Sequence, residues 1–256
     1  MTEGGHGGAL DFSEILAHHL TDHRIFSISD RFGFTKHAMM ILVAAVLAAA
    51  VVIAAARATG RLRTAVEALI LFIRKDIVAP AMGDDADRYL PYLLTLFVFI
   101  LMMNLLGLIP GGSSPTGNLS VTATLSLTTF ILIHAAGMFR HGPVKHLKNF
   151  VPHGVPWAVW PLVWCIEAMG FLTKGIALCI RLFANMTAGH MVILLFLGLI
   201  LLAGQTHLAA GALVAPVTVA LAVGLYALEL IVALIQAYVF TMLTAIFVGG
   251  ALHPEH

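Results

Sequence analysis

The feature that most constrains this chain is a pair of long apolar runs near its end, residues 161–203 and 211–249, parted by a short turn region at 205–210. Each holds about forty residues, and forty helical residues at ~1.5 Å rise reach about 60 Å, roughly twice the ~30 Å of bilayer hydrocarbon. Neither run fits as one upright span, so each must tilt strongly, bend or break. Composition agrees: 60% of the 256 residues are hydrophobic and 11% are charged, against about a quarter charged in a soluble globular chain. A water-soluble enzyme is excluded. The expected fold is an all-α integral membrane protein ending in a long, strongly tilted helical hairpin.

Three shorter spans precede the hairpin, at about 37–56, 89–109 and 118–138, giving about five crossings. Between the first two, residues 64–79 keep a helical pattern broken by Glu67, Arg74, Lys75 and Asp76, which suits a helix lying at the interface. Residues 1–36 lack the unbroken apolar core of a secretory signal and read as a retained extramembrane segment, leaving 37–256 as one transmembrane domain. Trp157, Trp160 and Trp164 mark an interface before the first long run. Lys and Arg crowd the loops after residues 56 and 138 and are absent from 111–117 and 203–211. The positive-inside rule then places the N-terminus outside and the C-terminus in the cytoplasm.

A formal net charge of +1 offers no basic field for nucleic acid. Cys165 and Cys179 are fourteen residues apart in one apolar run, about 21 Å along a helix, too far for a disulfide. His19 and His23 share a helical face beside His18 and Asp22, a weak metal-site pattern, and no metal or other cofactor is expected. No nucleophile stands beside a base in a recognised motif.

Function must therefore sit in the few polar residues at membrane depth. Glu167, Lys174, Arg181 and Asn185 recur at seven, seven and four residues, a narrow stripe on one helix; Glu229 and Gln236 are also seven apart. Two such stripes on antiparallel neighbours are expected to meet. An ionised side chain at that depth costs at least ~2.5–3.5 kcal/mol. Arg181 cannot shed its charge, so it is a fixed cation rather than a proton carrier, whereas His190 and Glu229 can exchange protons. Competing readings stand beside these: Glu167 and Lys174 as snorkelling or ion-paired residues, Asn185 and Gln236 as interhelical hydrogen-bond glue, His190 as a packing histidine lying off the stripe. Asn104, Asn118 and the Thr122, Thr124, Ser126, Thr128 series read as ordinary helix-contact polarity.

The run Arg-Leu-Phe-Ala-Asn-Met-Thr-Ala-Gly-His at 181–190 closely resembles the signature of the F-type ATP synthase a subunit. The resemblance extends to Glu167 and Lys174, to 228–244 with Glu229 and Gln236, and to Asn104-Leu-Leu-Gly-Leu-Ile-Pro110. It implies a non-catalytic, proton-translocating stator with a c-subunit ring and b-type peripheral stalk subunits as partners. Arg181 would face the ring and block leakage between two offset half-channels. Asn185, His190, Glu229 and Gln236 match positions of the outer half-channel; Glu167 and Lys174 lie towards the cytoplasmic end. Some members carry an acid at the position of His190 and a histidine at that of Glu229, so the pair looks exchanged here. The alternative, a self-contained proton-coupled transporter, would show repeated halves and helices broken at the midplane, and neither is visible. An intramembrane hydrolase would need a catalytic pair that the scattered His and Glu do not supply.

Overall fold

The computed structural model describes residues 24–29, 32–57, 60–109, 114–148, 156 and 159–253. The His18, His19, Asp22 and His23 group, Trp157 and the last three residues lie outside these. A short antiparallel hairpin opens the described chain, β1 (Arg24–Ser29) against β2 (Phe32–Thr35), with Phe26 opposite Phe34. It stands ahead of the apolar sequence, and the rest of the described chain is helical.

Five stretches are long and apolar enough to cross a membrane. The first is α1 (Lys36–Arg57). Its Leu42, Val46 and Ile53 face outward, while Ala44 and Ala48, one turn apart, are buried; small residues there let a neighbouring helix approach closely. After Gly60 comes α2 (Arg61–Phe72), then a π-helical turn at Ile73–Val78 and the one-turn α3 (Ala79–Met82). The widened turn brings Ile73, Ile77 and Val78 inward together and leaves Arg74, Lys75 and Asp76 exposed. Arg74 donates from Nε and Nη2 to both carboxylate oxygens of Asp87, at 2.8 Å each.

Gly83, at φ 58°, turns the chain into α4 (Ala86–Gly107). This helix begins three residues before the span expected at 89–109, because its polar first turn continues it into the acidic break. A 3-10 turn at Pro115–Gly117 leads to α5 (Leu119–His141), whose first turn is capped by Asn118 Oδ1 accepting from the Ser120 amide at 2.9 Å. The short α6 (Pro143–Lys148) follows. Last come the two long helices, α7 (Trp160–Thr206, 47 residues) and α8 (Leu208–Leu252, 45 residues), joined at an extended His207. At ~1.5 Å per residue they are about 70 Å and 67 Å long.

Helices α7 and α8 pack as an antiparallel pair, and α4 and α5 pack against α8. Ile73, Ile77, Met82, Leu93, Ile100 and Met103 from the first half join Phe240 and Val248 of α8 in one continuous core. The far end of α8 is tied down by polar contacts. His253 Nε2 lies 3.2 Å from Asp85 Oδ2, Arg140 Nη2 lies 3.9 Å from the same oxygen, and His141 Nε2 is 3.0 Å from the Leu252 carbonyl. The outer faces of α7 and α8 are mostly hydrocarbon, with Ile166, Leu172, Ile180, Val217, Leu221 and Ile231 all exposed.

Candidate functional site

The polar residues of α7 and α8 form an axial series whose rungs follow from antiparallel register. At one rung Asn185 Nδ2 donates to Gln236 Oε1 at 3.0 Å. Eleven residues back along α7 and eleven forward along α8 is the second rung. Here Lys174 Nζ stands over the Phe171 ring at 4.6 Å and the Phe247 ring at 5.2 Å, an arrangement in which the ring faces attract the cation. On the other side of Asn185, one helical turn on, the Glu229 carboxyl lies against Gly189. A Cβ on Gly189 would be 2.5 Å from Glu229 Oε1 and 2.8 Å from its Cδ. The absence of a side chain at 189 is what admits the carboxyl between the helices.

Glu229 is only 5% exposed, and neither of its oxygens finds a hydrogen-bond partner among the described residues. The same is true of His190 Nε2, Thr187 Oγ1 and Gln236 Nε2. Five buried polar atoms from four residues thus fall within two turns of one interface. Unpaired polar groups of this kind each cost about 1–3 kcal/mol unless something bonds them, and a polar, roomy interface is where ordered water does so.

Arg181 stands between the two rungs, one turn before Asn185 and seven residues after Lys174. It is exposed, and among the described residues no carboxylate pairs with it. Leu178, Leu182 and Met186 carry the face of α7 that packs inward, while Ala177, Arg181, Ala184 and Ala188 lie on the open side. The guanidinium therefore stands on a surface of small side chains.

The two polar stripes meet, as expected, and they do so at Asn185 and Gln236; among the described residues no other hydrogen bond joins them. A seven-residue repeat drifts ~20° per step against a 3.6-residue helix, and α8 turns Glu229 and Gln236 inward while α7 turns Arg181 outward. His190, off the stripe by half a turn, is rotated for that reason towards the packed side, at the level of Glu229. Glu167 is half-buried, and neither it nor Lys174 forms an ion pair among the described residues.

Two contributing residues were not singled out from sequence as part of the site. Gly189 has meaning only once Glu229 is known to face it. Asn104, read as helix-contact polarity, is wholly buried and donates from Nδ2 to the Ala233 carbonyl at 3.3 Å, between Glu229 and Gln236. The seven-residue spacing of those two gives no hint of a third helix between them.

Comparison with known proteins places this geometry in context. Residues 37–249 match the family described as ATP synthase A chain. A protein named ATP synthase subunit a 2 from Prosthecochloris aestuarii is 37% identical, over 99% of this chain and 82% of its own length. One of the same name from Chlorobaculum tepidum is 39% identical over 93% and 72%. ATP synthase subunit a of Anaeromyxobacter dehalogenans is 40% identical over 98% and 72%.

Proposed function

The chain belongs to the ATP synthase A chain family, and from that premise we propose that it is the non-catalytic, proton-translocating stator of the membrane sector, working against a ring of c subunits. One observation carries the reading: Arg181, a cation that cannot deprotonate, stands on the open face of α7 between two separate polar zones, with no carboxylate partner among the described residues. On its turn-proximal side lie Asn185, Gln236, His190 and Glu229. On the other lie Lys174 and Glu167, about 10 Å and 21 Å along the helix axis.

In this reading each zone is a half-channel. With the N-terminus outside and the C-terminus in the cytoplasm, the turn between α7 and α8 is outside, so Glu229 and His190 serve the outer half-channel. Both side chains accept and release protons, and their unpaired buried atoms suit a short water-filled path. A ring carboxylate arriving opposite Arg181 is ionised by the fixed charge and gives up its proton. The small residues at 177, 184 and 188 let a ring helix come close enough for that. No proton crosses directly from one zone to the other, because the path between them passes the cation. Protons therefore travel by rotation, and Lys174 and Glu167 border the exit. The b-type peripheral stalk holds the stator against the torque.

The experiment is ATP-driven proton uptake into vesicles bearing the complete complex, with native chain or Arg181→Ala at equal assembly. Loss of uptake in the variant supports the reading; native uptake refutes it.

A further inference from the structure

Ser114, Pro115 and Thr116 are buried although they belong to a connection between helices. They fold onto Gly107, where a Cβ would lie 2.6 Å from Ser114 Cβ. From this seat a hydrogen-bonded chain runs inward. Thr116 Oγ1 donates to Asn104 Oδ1 at 3.0 Å, and Asn104 Nδ2 donates to the Ala233 carbonyl at 3.3 Å. Because the one hydroxyl hydrogen of Thr116 is used in this way, Ser114 is the donor in the 2.9 Å contact between the two hydroxyls. Asn104 and Thr116 are both 0% exposed. Ala233 stands four residues after Glu229 and three before Gln236, on the same inward face of α8.

We infer that Asn104 is a positioning residue for the proton path. By holding the Ala233 carbonyl, with its own carboxamide oriented by Thr116 and Ser114, it fixes the rotation of α8 at which Glu229 enters the gap at Gly189 and Gln236 meets Asn185. The spacing of Asn104 and Gly107 is explained by the same chain: one residue grips α8 and the other makes room for the loop that orients the grip. Neither Asn104 nor the two hydroxyls carry the proton; they act through α8. The inference rests on the reading of Glu229 and Gln236 as proton-path groups.

The test is passive proton conductance of the membrane sector in vesicles, normalised to assembled complex and followed against outer pH, for Asn104→Leu, Thr116→Val and Thr116→Ser. Thr116→Val keeps the shape of the side chain and removes only the hydroxyl. Loss of one buried hydrogen bond should lower conductance by about tenfold in Asn104→Leu and Thr116→Val, while Thr116→Ser stays native. The pH of half-maximal conductance should also move, by roughly half a unit or more. The titratable groups at this level are Glu229 and Tyr226 of α8 and His190 of α7; α4 and α5 carry theirs, Asp87 to Tyr92 and His134 to His141, at the opposite end. Poor assembly with native conductance per assembled complex and an unmoved pH midpoint would overturn the inference, as would native behaviour throughout. Glu229→Gln is run in parallel. If it lowers conductance and Asn104→Leu does not, only the positioning role fails; if Glu229→Gln conducts normally, the underlying proton-path reading fails with it.

Discussion

Gly189 shows how one missing side chain sets the chemistry of another residue. A methyl group there would force the Glu229 carboxyl or a helix to shift, because the contact at 2.5 Å is shorter than any Cβ tolerates. Overpacking of this kind costs about 1–3 kcal/mol, so Gly189→Ala should cut proton conductance per assembled complex by about tenfold. Glu229→Asp in the Gly189→Ala background withdraws the carboxyl by one methylene and should recover part of it; no recovery would mean that Gly189 acts elsewhere. The exchanged pair gives a second prediction. Glu229→His with His190→Glu should retain more ATP-driven uptake than either single change, and an additive loss would show that the two side chains work independently. Arg181, Lys174, Glu167, His190 and Glu229 were legible in the sequence because each is a polar residue in an apolar run, where its cost makes it conspicuous. Gly189 was not, since its contribution is the space it leaves.

Among the elements, the two long helices were legible from apolar length alone, while their relative rotation was not. Periodicity gives the angle between residues on one helix and says nothing of how a neighbour turns to meet it. That is why the meeting of the stripes was legible while the particular pairing of Asn185 with Gln236, with Arg181 turned outward, was not. The π-helical turn at Ile73–Val78 and the hairpin of β1 and β2 went unread, the first because it lies inside a stretch read as one continuous helix and the second because its strands are far shorter than a span. Near the far end of α8, a Cβ on Gly249 would collide with the Ala81 carbonyl oxygen, so α3 and α8 approach backbone to backbone there. Gly249→Val should destabilise the folded chain by about 1–3 kcal/mol, read as a lower midpoint of thermal unfolding in detergent. An unchanged midpoint would mean that α3 yields freely. The Arg74–Asp87 pair, with side chains 47% and 67% exposed, offers the contrast. Asp87→Asn should leave that midpoint nearly unchanged, because water screens so exposed a pair.

For the whole molecule, the arrangement amounts to a packed hairpin buttressed by α4 and α5 on one side and bare on the other. The bare side carries Arg181 among small residues, and the buttressed side holds the buried polar groups. Fold class, family and the identity of the fixed cation could all be read before any coordinates. The division into two polar zones was implied by the resemblance, but the contacts that build them were not: the burial of His190 and Glu229 beside Gly189 and the seating of Lys174 against Phe171 and Phe247 need the packed helices. The central claim is that Arg181 couples these zones to a moving partner and keeps them apart. It is tested most directly by measuring passive proton conductance and ATP-driven proton uptake on the same vesicles, with complete complexes carrying Arg181→Ala. The account predicts that driven uptake disappears while assembly is native and passive conductance persists at or above the native level. Driven uptake at the native level in that variant would contradict it.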